Sequence, residues 1–308
     1  VTPPPPEAND CTTVTFPEAA AARKKNRKKK STRGSTENPT CIIVQSQNTQ
    51  GLFQGVYDDY GNRIAGERTY MKRYVLLAKM VDEEIDVLFM QETWVEGDSI
   101  FEWNGYVIFN HNFSDIKTKR RGVGIILSPR MVRAWERAGK LDPIKTKTGS
   151  DFEGRFIGVK CILPRFDARG KEVGEHKIFV ASVYHPYDDS YKGFNVTVDT
   201  LLDKVPEDYE LMIGADLNAN VGRRETDLYE SVLGSYGLDN RVQKKGEDLC
   251  QLYQDNNLSI LNTFFEDNEF NHTSHTSFNR QKTRHMYDII AVSPGLLRSA
   301  QECRLHSR

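Results

Sequence analysis

The sequence predicts one α/β domain with a sandwiched sheet core across residues 41–308. Three observations carry this expectation. Short apolar runs rich in Val, Ile and Tyr recur between Gly, Asn, Asp or Pro, the pattern of buried strands. Helical spacings lie between some of these runs. No internal repeat or linker interrupts residues 41–308, and many strands with a few interspersed helices fit one layered core.

The elements follow in order. Ile42-Ile43-Val44 lies in the first run, 41–45. Residues 67–83 set Tyr70, Tyr74, Leu77 and Val81 at spacings of three and four, which predicts an amphipathic helix ahead of the strand 85–90. Runs 106–109, 122–127, 156–163, 177–184 and 209–214 are expected as strands, with a helix over 197–204. A helix over 246–256 and strands over 258–261 and 287–292 complete the domain.

Residues 1–40 differ in kind. They begin with Pro3-Pro4-Pro5-Pro6 and hold few core-forming side chains, so a disordered arm is expected. All its basic residues fall between Arg23 and Arg33, a run suited to nuclear import or phosphate binding. The chain's 42 Lys+Arg and 43 Asp+Glu nearly cancel, so this basic arm precedes a mildly acidic globule. The opening on Val1 suggests a processed or clipped piece of a longer reading frame. The five cysteines form no C-x-x-C pair, which argues against a disulfide framework or a zinc knuckle and for a reducing compartment. No apolar run approaches the ~20 residues needed to span a bilayer, and no secretory segment opens the chain. The sequons at Asn112, Asn195 and Asn271 then read as chance matches. An intracellular, nuclear, monomeric protein is expected.

Polar residues recur at or just after strand ends, where a rigid scaffold can aim them into one cleft. They are Asn48, Glu92 in Gln91-Glu92-Thr93, Tyr184 in Val183-Tyr184-His185-Pro186, Asp216 and Asn218 in Gly214-Ala215-Asp216-Leu217-Asn218, and Asp288 in Tyr287-Asp288-Ile289-Ile290. A carboxylate at the end of an apolar strand is costly in a core and readily explained at a metal site. Taken singly, each also has a bland reading: Asn48 as a turn residue, Glu92 as a loop cap, Tyr184 as a packed ring, Asp216-x-Asn218 as an Asx-turn.

Together the ordered set resembles the endonuclease/exonuclease/phosphatase superfamily, the group of deoxyribonuclease I and the abasic-site endonucleases. Within it, the chain looks most like the endonuclease domains of non-LTR (LINE-type) retrotransposons and their craniofacial-development-like relatives. Gln91-Glu92-Thr93 is similar to that family's Q-E-T, and Arg121-Gly122-Val123-Gly124-Ile125-Ile126-Leu127 to its R-G-V-x-I-x-L strand. Val183-Tyr184-His185-Pro186 is similar to its V-Y-x-P, and Gly214 to Asn218 to its G-x-D-x-N turn. Thr276-Ser277-Phe278 sits where the family has a T-W pair, and Asp288 falls on the Asp of its I-D-Y-I-L-V.

The resemblance implies a four-layer α/β/β/α sandwich of the deoxyribonuclease I-like type and a divalent-metal-dependent, DNA-nicking hydrolase. Glu92 would hold Mg²⁺, or Mn²⁺, with Asn48 helping to position the cation or the phosphate. Tyr184 and Asn218 would bind phosphate oxygens, and Asp216 would orient or deprotonate the attacking water or handle the leaving-group proton. Arg155 would help order the site. DNA contacts would be electrostatic, from the basic arm, from Lys117 to Arg121, and from Arg280 to Arg284, near Thr276. A reverse transcriptase would follow in the parent protein.

Three departures stand beside these matches. Phe278 replaces the usual Trp, Ile289 replaces the usual Tyr, and no Ser-Asp-His triplet closes the chain after Asp288. His306 is no substitute, since no Asp precedes it. The domain is therefore expected to lack its C-terminal strand and its catalytic His. Two competing functions follow: an inactive nuclease-like domain that binds, or a phosphoinositide or sphingomyelin phosphohydrolase of the same superfamily.

Overall fold

The computed structural model describes residues 11–17, 41–49, 56–57, 63–64, 67–113, 122–167, 169–185, 193–222, 227–236, 244–266, 275–276 and 284–306. The chain order is β1 (Cys11–Pro17), β2 (Cys41–Asn48), β3 (Val56–Tyr57), β4 (Arg63–Ile64), α1 (Glu67–Asp82), β5 (Val87–Gln91), β6 (Ser99–Trp103), β7 (Tyr106–His111), β8 (Val123–Leu127) and α2 (Pro129–Arg137). It continues with β9 (Ile144–Lys145), β10 (Phe156–Phe166), β11 (Glu172–Tyr184), α3 (Phe194–Leu202), β12 (Glu210–Asp216), α4 (Lys244–Asp255), β13 (Ser259–Ile260), β14 (His275–Thr276), β15 (Arg284–His285), β16 (Asp288–Val292), α5 (Pro294–Ser299) and β17 (Glu302–His306).

Two sheets form the centre. One runs β17-β1-β2-β5-β8-β7-β6, the other β13-β16-β12-β11-β10-β9. Among the described residues, only β2 with β5 and β11 with β12 pair in parallel within them. Side-chain alternation sorts each strand between two faces. Val44, Val87, Phe89 and Ile125 of one sheet meet Val159, Val180, Met212 and Ile290 of the other in a shared inner core. Their odd-numbered or even-numbered neighbours face outward. Leu88, Met90, Ile108 and Ile126 bury Leu76, Leu77 and Met80 of α1. Phe179, Ala181, Ile213 and Ile289 bury Phe194, Val198 and Leu202 of α3 with Leu249 and Tyr253 of α4. The layers are helix, sheet, sheet, helix, as the sequence leads one to expect.

The sheets approach closely at Gly214. A Cβ built there lies 2.4 Å from Phe89 Cγ, so a methyl group would push the sheets apart. Beside this contact, Gln91 is fully buried and its Nε2 donates to Ser46 Oγ (3.3 Å), Ser182 Oγ (3.1 Å) and the Gly214 carbonyl (3.2 Å). Ser182 Oγ donates in turn to the Met90 carbonyl at 2.8 Å. Buried polar groups need such partners, and here the partners lie on opposite sheets.

Several elements differ from expectation. Residues 11–17, assigned by composition to a disordered arm, form a strand between β2 and β17. The local sequence Cys-Thr-Thr-Val-Thr-Phe-Pro is β-branched and aromatic, which suits a pleated surface; the Pro and Lys around it masked this. The basic run Arg23 to Arg33 lies outside the described residues. At the other end, Glu302–His306 forms a strand that the apolar runs do not mark, paired along β1. The helix α2 carried start signals that apolar runs do not reveal: Ser128 accepts from Met131 N at 3.4 Å as N-cap, and Pro129 opens the first turn. The strand β6 is an exposed edge with little apolar periodicity, so hydrophobic patterning passes over it.

Candidate active site

The strands β2, β5, β11 and β12 end side by side, and their last residues are Asn48, Gln91, Tyr184 and Asp216. Register fixes the row: Tyr184 pairs with Asp216, and Asp216 with Asp288. All three therefore stand on the face turned toward the first sheet, the face that carries Ser182 and Gly214 one step earlier.

Glu92 reaches the same place by a different device. Strand alternation would aim it away from Gln91, toward α1. Its φ of 52° breaks that alternation, and Tyr184 Oη donates to Glu92 Oε1 at 3.0 Å. A left-handed φ at a non-glycine residue costs ~1–3 kcal/mol and tends to occur where function needs it. The turn is secured by Thr49, whose Oγ1 donates to the Gln91 carbonyl at 2.9 Å and whose N–H donates to the same oxygen at 2.8 Å.

Asp216 is 4 % exposed and accepts two hydrogen bonds. Asn48 Nδ2 donates to Oδ2 at 3.0 Å, and the Asn218 N–H donates to Oδ1 at 3.1 Å. The second bond is an Asx-turn, so the bland reading of Asp216-x-Asn218 is correct and the turn also builds the site. Asn218 has φ 44°, a conformation Asn tolerates. Its Nδ2 donates to the His185 carbonyl at 3.2 Å, while the His185 N–H donates to the Asp216 carbonyl at 2.9 Å. His185 itself packs edge-on against Phe194 at 4.4 Å between centroids and serves the core.

Burial, then the charge of Glu92, pushes the Asp216 carboxyl up to about 7; the donors Asn218 and Asn48 and the charge of Lys245 pull the other way. Burial and the neighbouring carboxylates Glu92 and Asp216 also raise the Tyr184 phenol, so it stays protonated and donates. Arg155 is buried with its guanidinium carbon 4.6 Å from the centre of the Tyr184 ring, a cation–π contact. Its carbonyl accepts from the Tyr184 N–H at 2.9 Å.

The fold thus brings Asn48, Glu92, Arg155, Tyr184, Asp216, Asn218 and Asp288 together. Arg121 lies outside the described residues. Thr276 and Arg284 pair across the β14–β15 ribbon. Sequence reasoning missed Lys245, whose Nζ donates to the Asn218 carbonyl at 3.3 Å. It sits at the start of α4 with no motif around it, so no local signal marks it.

Glu92 and Asp216 act on one another in this largely buried cleft, and Asp288 adds a third carboxylate beside amide and phenol groups. Such hard oxygen ligands suit a divalent cation, which takes few protein carboxylates when it keeps waters. Among the described residues no group of three or more His, Cys, Asp or Glu is placed to hold a metal ion by itself.

No family model matches the chain, and no curated protein matches it. Solved structures do match. An AP endonuclease from Leishmania major superposes with a TM-score of 0.51 at 12% identity, covering 85% of this chain and 85% of that one. The endonuclease domain of TRAS1, a telomere-specific non-LTR retrotransposon, gives a TM-score of 0.46 at 14% identity, covering 75% and 89%. An endonuclease/exonuclease/phosphatase family protein from Leptotrichia buccalis gives 0.45 at 13%, covering 74% and 83%. With its two facing sheets and flanking helices, the chain has the deoxyribonuclease I-like fold.

Proposed function

We propose that this chain is a divalent-metal-dependent phosphodiester hydrolase that nicks DNA, of the kind that serves a non-LTR retrotransposon. The observation that carries this reading is the cluster of Glu92, Tyr184, Asp216 and Asn48 at the facing ends of both sheets. The order of the motifs around those residues supports the retroelement assignment, and the nuclease fold supports the reaction class.

Glu92 would hold Mg²⁺ or Mn²⁺, with Asn48 helping to position the cation or the phosphate. When bound, the cation supplies charge neutralisation for the two carboxylates and polarises a phosphoryl oxygen. Asp216, with its carboxyl near neutrality, can accept a proton from an attacking water or pass one to a leaving oxygen. The Tyr184 hydroxyl and the Asn218 side chain would orient phosphate oxygens. A second reading is a nuclease fold that binds DNA without cutting it.

Conversion of supercoiled plasmid to open circle tests the first reading. The chain with Mg²⁺ should nick, and Glu92→Gln and Asp216→Asn should each lose about 10²- to 10⁴-fold, the range for removing a general acid–base group or its support. Equal nicking by Asp216→Asn would sink the proposed role. No nicking by the chain, with DNA still retained on a filter, would leave the binding reading.

A further inference from the structure

Away from the site, one buried titratable side chain has both ring nitrogens engaged. His111 ends β7 with its side chain fully buried. Its Nδ1 lies 2.5 Å from Asp98 Oδ1. Its Nε2 lies 2.8 Å from Thr146 Oγ1, and the Gly154 N–H donates to it at 3.1 Å. A backbone N–H can only donate. Nε2 therefore presents its lone pair, and the proton sits on Nδ1 and faces Asp98. The second Asp98 oxygen accepts from Lys145 Nζ.

The pair looks like the histidine–carboxylate couples that serve catalysis, but it has no access to a substrate. What it holds is a turn. Gly154 has φ 71°, and a Cβ there would lie 3.0 Å from Asn112 Cα, so the turn fits against the end of β7 only as glycine. Gly149 N–H donates to the buried Glu153 at 2.7 Å and closes the same turn. The next residue is Arg155, whose carbonyl takes the Tyr184 N–H and whose guanidinium covers the Tyr184 ring. An unbroken path of contacts thus runs from Asp98 through His111, Gly154 and Arg155 to Tyr184 and on to Glu92.

We infer that His111, oriented by Asp98, is a positioning residue that fixes Gly154 and so sets Arg155 over Tyr184, for the hydrolysis proposed above on which this role rests. A packing role alone would hold the core together without setting that geometry.

The test uses the full chain with Asp98→Asn, His111→Ala and His111→Gln. Imidazole ¹⁵N shifts should report the Nδ1–H tautomer, and the Arg155 Nε–H resonance should carry the ring-current shift of Tyr184. In Asp98→Asn and His111→Ala that resonance should move toward the value of a free arginine. Plasmid nicking should lose about 10- to 100-fold in kcat with KM for DNA unchanged, the usual scale for groups that orient a functional side chain. His111→Gln keeps an acceptor near the Nε2 position and should recover part of both readouts. Should His111→Ala not fold, Asp98→Asn carries the same comparison, since Asp98 is partly exposed. An Nε2–H tautomer, or an unmoved Arg155 resonance in Asp98→Asn, overturns the role. If the native chain does not nick, the hydrolase reading fails by itself, and the two resonances still decide whether His111 positions Arg155.

Discussion

The Tyr184 hydroxyl donates a 3.0 Å hydrogen bond to Glu92 Oε1, tying the end of one sheet to the end of the other across the cleft. The two residues stand 92 apart in sequence. The bond holds a carboxylate that has left the strand's alternation and a phenol kept protonated by burial and by neighbouring charge.

Removing that hydroxyl should be costly for function and mild for the fold. A hydrogen bond to a charged group contributes ~1.5–3 kcal/mol. Tyr184→Phe should slow nicking by about 10- to 100-fold while leaving the far-UV circular dichroism unchanged. A variant as fast as the native chain would show that the phenol does not orient Glu92 for the reaction.

The raised Asp216 carboxyl has a definite sign in stability. Its folded value, about 7, exceeds the ordinary 3.8, so the folded state holds a proton that the unfolded state has released. The stability this proton contributes is complete below about pH 4 and is lost as pH rises toward 7. Urea midpoints of the metal-free chain should fall across that window, and Asp216→Asn should flatten part of the slope. Asp86, pushed up by burial to about 6, should keep its own smaller share in that variant. Identical slopes in both proteins would refute the assignment to Asp216.

Gln91 spans the sheets. Gln91→Leu keeps the bulk but strips the donors from Ser46, Ser182 and the Gly214 carbonyl, all buried. An unsatisfied buried polar group costs ~1–3 kcal/mol, so the urea midpoint should fall by an amount equivalent to at least ~2 kcal/mol. A loss below ~0.5 kcal/mol would mean that the serines find other partners.

Cation binding has a readout separate from turnover. Mg²⁺ at about 100 times its dissociation constant should stabilise the fold by ~2.7 kcal/mol, visible as a rise in Tm. Chelation should reverse it, and Glu92→Gln should abolish it. A rise of equal size in Glu92→Gln would move the cation away from Glu92.

Much of this molecule is written locally. The apolar runs around Val44, Phe89, Val180 and Ile213 specify strands, because a pleated strand with both faces covered accepts a continuous apolar sequence. The polar residues that interrupt or follow those runs, Asn48, Glu92, Tyr184, Asp216 and Asp288, stand out in the sequence as candidates for one cleft. Other features depend on distance. Asn48 and Asp216 lie 168 residues apart, and only strand register and the facing of two sheets put an amide against a carboxylate. The same holds for Lys245, which meets the Asn218 carbonyl through helix packing, and for His111, whose partners come from two distant loops, Asp98 before β6 and Thr146 and Gly154 between β9 and β10. Residues 11–17 show the converse: a local strand pattern hidden within a Pro- and Lys-rich segment becomes a strand because β2 and β17 offer unpaired edges on either side. Sequence alone determined which residues could do chemistry and which stretches could be strands. Tertiary structure decided which of them share a cleft, because hydrogen-bond register and sheet packing act between residues that no local pattern connects.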